Sequence, residues 1–266
     1  MSVLMSLLIA WAVTVFVMFA FYLIQLRTKN ATLVDAVWAG GLAFTACFYA
    51  VTGNGAANRR ILLAVLGGVW GLRLAFYLAA RAMNGPEDGR YAMLRDQWGD
   101  AAAKNFFLFY QVQASWVVLF SIPFLVVSRN ERALWAWHDV AAILVWLAAV
   151  GGETLADWQL NRFRADPAHQ GKTCRNGLWK YSRHPNYFFE WLHWFTYVFL
   201  ATGSTWWWVS LSGPVIMLLF LYKVTGIPYT EKRALRSRGD DYRRYQETTS
   251  AFIPWRPKGG DRAEDH

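Results

Sequence analysis

The chain has 266 residues, of which 55% are hydrophobic, 17% aromatic and 17% charged, with a formal net charge of +9. Sixteen tryptophans and several apolar runs long enough to cross a hydrocarbon core exclude an ordinary soluble domain and predict an all-α, multi-pass membrane protein. The basic residues lie between and after the apolar runs, which favours membrane topology and anionic headgroups over nucleic acid. Cys47 and Cys174 have no CxxC or Cys/His spacing, so neither a disulfide framework nor a metal site is expected.

Seven spans are predicted in chain order. The first, about Val3–Leu26, is closed by Arg27 and Lys29 and lacks an A-x-A-like cleavage site, so it reads as an anchor. The second is about Ala31–Thr52 and the third about Ile61–Met83. The third carries Gly67, Gly68 and Gly71, which permit close helix approach, and Arg73 and Tyr77 on one face. An intramembrane arginine points to function by default, and Asp35 on the second span is its candidate partner. A polar stretch, Asn84–Asn105, contains PEDGRY (Pro86–Tyr91). The fourth and fifth spans are about Phe106–Val127 and Val140–Trp158. A basic loop, Gln159–Ser182, precedes the sixth span, about Pro185–Thr202, and the seventh is about Thr205–Val224. Residues 1–258 read as one integral-membrane domain and 259–266 as a frayed end.

Numbering the loops divides Lys and Arg sharply, about 22 on one face against about 4 on the other. The positive-inside rule then puts the N-terminus outside and the C-terminus in the cytoplasm. PEDGRY, the stretch GLWKYSRHPNYFFE (Gly177–Glu190) and the basic tail fall on the cytoplasmic side.

Two constellations carry chemistry. In GGETLADWQLNRFR, Glu153 and Asp157 share a helical face and Arg164 follows two turns on. Carboxylates can bind ribose hydroxyls and arginine can bind phosphate in a forked geometry, although an interfacial ion-pair network has the same spacing. In SRHPNYFFE, Pro185 suits a first helical turn, Asn186 and Glu190 share a face, and a helix N-terminus favours an anion. Tyr181, Arg183, His184 and Tyr187 crowd the same mouth, where an aromatic belt would need no Arg, Asn and Glu. In the tail, Tyr229–Arg238 reads as a helix stopped by Gly239, and Tyr242 and Tyr245 follow three residues apart. It can lie as an amphipathic helix on anionic lipid, or close Tyr229, Glu231, Arg233 and the tyrosines over the site.

The order of fifth-span Asp, basic loop, GLW-x-YSRHPNY-x-x-E, apolar pair and P-Y-x-E…DDY-x-x-Y…IPW resembles the steroid 5-alpha-reductase family. It is closest to the bacterial branch filed as a domain of unknown function, and VDAVWAGG, WGLRL and EDGRY resemble that branch too. The resemblance implies a seven-helix reductase of the bacterial inner membrane that binds NADPH. It implies hydride transfer to a conjugated double bond of a steroid-like or other lipophilic substrate. Asp157, Arg164, Asn186 and Glu190 match cofactor-holding positions; Glu153 stands where those enzymes have an asparagine, and Glu231 and the tail tyrosines match more loosely. Those enzymes hold the substrate carbonyl with a Glu on the second helix and a Tyr on the third, where this chain offers Asp35 and Tyr77. A lipid or isoprenyl-cysteine methyltransferase using S-adenosylmethionine shares RHP-x-Y and is the main rival; a non-enzymatic membrane scaffold is a second.

Overall fold

The computed structural model describes residues 1–133, 135–224 and 226–258, and the end at 259–266 lies outside the described residues. Among the described residues it is helical without a β-strand. The chain forms two compact units, Met1–Ala136 with Leu200–Gly213, and Trp137–Phe199 with Pro214–His266.

The first unit contains α1 (Val3–Thr28), α2 (Leu33–Thr52), α3 (Ala57–Met83), α4 (Gly89–Trp98), α5 (Ala102–Phe120) and α6 (Ile122–Ser128). The Ser2 side chain caps α1 by accepting the Met5 N–H, and Lys29 ends it in a left-handed turn at φ 54. Few residues of α1 are buried, and α3 leaves Ile61, Val65, Val69, Leu72 and Phe76 outward at helical spacing. In lipid such a stripe needs no protein partner, because acyl chains are as apolar as Leu. The other face of α3 packs against α2. A Cβ on Gly71 would sit 2.9 Å from both the Cβ and the N of Ala43 and 3.1 Å from the Ala39 carbonyl oxygen, so glycine is what lets the two backbones approach. The predicted fourth span is interrupted: α5 ends at Ser121, and Pro123 starts α6 in its first turn, where a missing N–H costs nothing.

The second unit contains α7 (Trp137–Ala165), α8 (Pro185–Ala201) as far as Phe199, α9 (Ser212–Leu219) from Pro214, a π-helical turn at Phe220–Val224, α10 (Ile227–Arg238) and α11 (Asp240–Thr248). Gly239, at φ 55, supplies the left-handed corner between α10 and α11. Six helical stretches among the described residues are long and apolar enough to cross a membrane, and α8 adds 17 further residues of the same character. These agree with the seven predicted spans. The apolar part of the last stretch ends at the π-helical turn; α10 and α11 are polar and follow it.

The polar stretch 84–105 does more than connect. Asp88 caps α4 through the Arg90 N–H, and its own N–H donates to Thr32 Oγ1 at 2.8 Å. Glu87 accepts the Ala31 N–H at 2.7 Å and Arg95 at 2.8 Å. PEDGRY therefore pins α4 to the turn between α1 and α2.

Candidate functional site

In the second unit the organising contact is made by the loop before α8. Gly177, at φ 59, opens a 3-10 turn (Gly177–Lys180), and a side chain there would collide with Gln159. Gln159 instead accepts the Leu178 N–H at 2.9 Å, and Trp179 Nε1 donates to the Ala156 carbonyl at 2.9 Å. These two bonds fix the loop on α7.

The next residues form a clasp with α10 and α11. Arg183 Nε donates to Glu231 at 2.6 Å, and its Nη1 donates to the carbonyls of Gln246 and Thr249 at 2.9 and 2.7 Å. His184 Nε2 lies 3.3 Å from the same Glu231 oxygen, and Gln246 donates to the other at 3.0 Å. Burial opposes ionisation of Glu231, but hydrogen bonds from His184 and Arg183 and the Arg183 charge outweigh it and hold the carboxyl down to about 2. Tyr187 stacks on His184 with ring centroids 5.3 Å apart, and its hydroxyl lies 3.2 Å from Thr230 Oγ1. Tyr245 donates to the carbonyls of Trp179 and Ser182, and Tyr242 packs beside it. Burial pushes both phenols above their usual range, with the Glu231 charge adding at Tyr242 and Tyr242 itself adding at Tyr245.

Polar residues of α7 and α8 meet where Asn186 Nδ2 donates to Asp157 Oδ1 at 3.2 Å. Glu153 is buried one turn before Asp157, and Glu190 is half-buried one turn after Asn186. Deeper on α8, fully buried His193 and Tyr197 are bonded at 2.9 Å. Arg164 lies further along α7 and lines a cavity of about 130 Å³ with Lys172, Arg238, His169 and Cys174. The loop forming this cavity is held by Asp241, which accepts the Thr173 N–H at 2.8 Å and Arg175 at 2.7 Å. His169 stacks on Phe163 at 4.2 Å.

Thus Asp157 and Asn186 are joined directly, Arg164 lines a basic cavity, and Arg183, His184, Glu231 and Tyr245 hold the loop and tail together. Tyr181 is exposed and Tyr229 half-buried. Lys172, Arg238 and Gln246 were not singled out from the sequence. Lys172 and Arg238 are isolated cations in a charge-rich region, and only the turn at Pro167–His169 and the corner at Gly239 bring them to Arg164.

In the first unit Asp35 is half-buried near the start of α2. Its oxygens accept Arg90 Nη2 at 2.7 Å and the Tyr91 hydroxyl at 2.6 Å. A carboxylate holding a guanidinium and a phenol O–H acts as an acceptor and a positioning group. Tyr77 is half-buried on α3, one turn beyond Arg73. The sequence carried a signal for Arg90 and Tyr91 in EDGRY, but the stretch has no helical periodicity that would aim them at α2.

A family model described as "Protein of unknown function (DUF1295)" matches residues 21–249. The chain is similar to the "Uncharacterized protein C594.04c" of Schizosaccharomyces pombe, with 28% identity over 265 residues covering 87% of this chain and 74% of that one. No solved structure matches it. Since the matched region takes in α2 to α11 whole, with the clasp, the Asp157–Asn186 pair and the EDGRY cluster inside it, the chain belongs to the DUF1295 family.

Proposed function

We propose that this protein is a membrane-embedded, NADPH-dependent reductase acting on a conjugated double bond of a lipophilic substrate, in the manner of the steroid 5-alpha-reductases its motifs resemble. The observation that carries the reading is the sequence of groups along α7. Glu153 and Asp157, the latter bonded to Asn186, are followed by the basic cavity of Arg164, Lys172 and Arg238. Carboxylates and an amide suit ribose hydroxyls, and guanidinium and ammonium groups suit phosphates. A dinucleotide carries both in one molecule. S-adenosylmethionine is cationic at its reacting centre and has no phosphate for these cations to bind. The residues present therefore fit NADPH, which when bound supplies the hydride.

The chain's own residues then divide the work. Arg164, Lys172 and Arg238 neutralise phosphate charge. Asp157 and Asn186 fix the ribose, and Glu190 borders the same α8 face. The Arg183–Glu231 clasp keeps the loop before α8 in place. Tyr77 is the candidate O–H donor to the substrate carbonyl, where a preformed hydrogen bond stabilises charge as it develops. Asp35, held by Arg90 and Tyr91, fixes the start of α2. The cofactor side is cytoplasmic, following the distribution of Lys and Arg.

The test is a thermal titration of detergent-purified protein with NADPH and, separately, with S-adenosylmethionine. A ligand that binds only the folded state at about 100 times its Kd stabilises by about 2.7 kcal/mol. At roughly 2–4 °C per kcal/mol for a chain of this size, the melting temperature rises by about 5–10 °C. That rise with NADPH alone is the expected result. A rise with S-adenosylmethionine alone overturns the reductase in favour of methyl transfer, and no rise with either overturns both.

A further inference from the structure

The tail can lie on lipid as an amphipathic helix or close its tyrosines over the site, and α11 uses its apolar face within the second unit. Tyr242 and Tyr245 are 3% and 2% exposed and pack with Ala234 inside the second unit. What remains outward is the turn after it. Three bonds lay residues 250–255 along the loop at 181–183: the Arg183 N–H donates to the Ser250 carbonyl at 2.8 Å, the Trp255 N–H to the Tyr181 carbonyl at 2.9 Å, and Ser182 Oγ to the Phe252 carbonyl at 2.7 Å. Phe252 is thereby turned inward, 4% exposed, against Phe188, Trp191 and Tyr222. The same geometry turns Ile253 and Trp255 outward, 58% and 72% exposed, beside Tyr181. Tyr181, Pro254, Trp255 and Arg256 line an open groove of about 500 Å³.

Arg256 is the charged residue of this lining. Lys180, Arg256 and Lys258 are exposed, and neither Lys180–Arg183 nor Ser250–Lys258 contains an acidic residue. A rigidly held tryptophan with an aliphatic neighbour and surrounding cations is suited to the boundary of a bilayer, where indole and tyrosine rings settle at headgroup depth and cations meet lipid phosphate. We infer that the Ile253–Trp255 turn is a bilayer-interface anchor whose groove takes the headgroup of an anionic phospholipid. The anchor is independent of the reductase reading.

The experiment uses the full chain in nanodiscs of phosphatidylcholine alone or with one third phosphatidylglycerol. A nitroxide is attached at Ile253→Cys or Trp255→Cys in a Cys47→Ala background, Cys174 being buried. Both labelled side chains are exposed, so each variant checks the other if one fails to fold. Arg243→Cys, on the solvated face of α11, is the control. With anionic lipid, the nitroxides at 253 and 255 are expected to be relaxed more by oxygen than by a water-soluble nickel chelate, and the control the reverse. Arg256→Gln should lower the ratio of immersed to water-exposed label in the anionic nanodisc by about fivefold, the share of one cation near an anionic surface. Labels at 253 and 255 that behave like the control in both membranes overturn the anchor. Immersion that is the same in both membranes overturns the anionic-headgroup assignment.

Discussion

Replacing Glu231 by Gln removes one negative charge from the clasp and little else. One carboxylate oxygen takes Arg183 at 2.6 Å and His184 at 3.3 Å, and the other takes Gln246 at 3.0 Å. An amide at 231 can keep its oxygen toward Arg183 and turn its NH2 toward Gln246, whose own amide can flip to accept. Arg183 retains the carbonyls of Gln246 and Thr249. The loss is then the difference between a charge-assisted and a neutral hydrogen bond, about 1–2 kcal/mol. At roughly 2–4 °C per kcal/mol, the melting temperature at pH 7 should fall by about 2–8 °C. The pH dependence has a definite sign. The Glu231 carboxyl is held to about 2 in the folded protein against an ordinary 4.5, so its contribution is complete above 4.5 and is lost as the pH falls toward 2. Gln has no such contribution to lose. Melting curves of the detergent-purified proteins, measured between pH 7 and 3, should therefore converge progressively below pH 4.5. Equal melting temperatures at pH 7, or a gap that stays constant down to pH 3, would refute the claim that charge stabilises the clasp.

Gly71→Ala should cost about 1–3 kcal/mol by forcing α2 and α3 apart. Gly151→Ala, with nothing within 4 Å of its Cβ, should be neutral or stabilising by up to about 1 kcal/mol; thermal melts of the pair check this directly. If the cofactor is NADPH, Arg164→Ala or Lys172→Ala should weaken NADPH more than NADH in a binding titration, and equal losses would remove the extra-phosphate assignment. Tyr77→Phe should lower turnover of a lipophilic enone with little change in NADPH affinity, and unchanged turnover would leave Tyr77 as packing. Asp35→Asn should destabilise the first unit by about 1–3 kcal/mol through Arg90 and Tyr91, read as a lower melting temperature.

The spans were legible because their lengths and composition answer to one physical requirement, burial of the backbone in hydrocarbon. The edges of α1, α2, α3 and α8 fall within a few residues of the expected ones. α4 was not legible: its ten residues show no apolar stripe, and it is held by Asp88, Glu87 and Asp35 rather than by its own periodicity. Asp157 and Asn186 could be singled out because each sits at a helical spacing from another polar group in an apolar run. The partners of Arg183 could not, since two of its three acceptors are backbone carbonyls and carbonyls leave no mark in a sequence. Likewise the inward turn of Tyr242 and Tyr245 depends on the Gly239 corner, which marks where a helix stops but not which way the next one faces.

Ser182 and the Phe252 carbonyl it holds are 70 residues apart in the chain. On a ribosome adding roughly 5–20 residues per second, the loop would wait about 4–14 s for its partner to be made. Arg183 gains Glu231 after 48 residues and the two carbonyls only after 63 and 66, and until Phe252 is made Phe188, Trp191 and Tyr222 lack their counterpart. The second unit therefore reaches its final form only once residues 250–255 have been made. A chain stopped at position 246 should keep the Arg183–Glu231 pair but lack both carbonyls that Arg183 holds, and it would leave Phe188, Trp191 and Tyr222 without Phe252, a bare aromatic surface for proteases to act on.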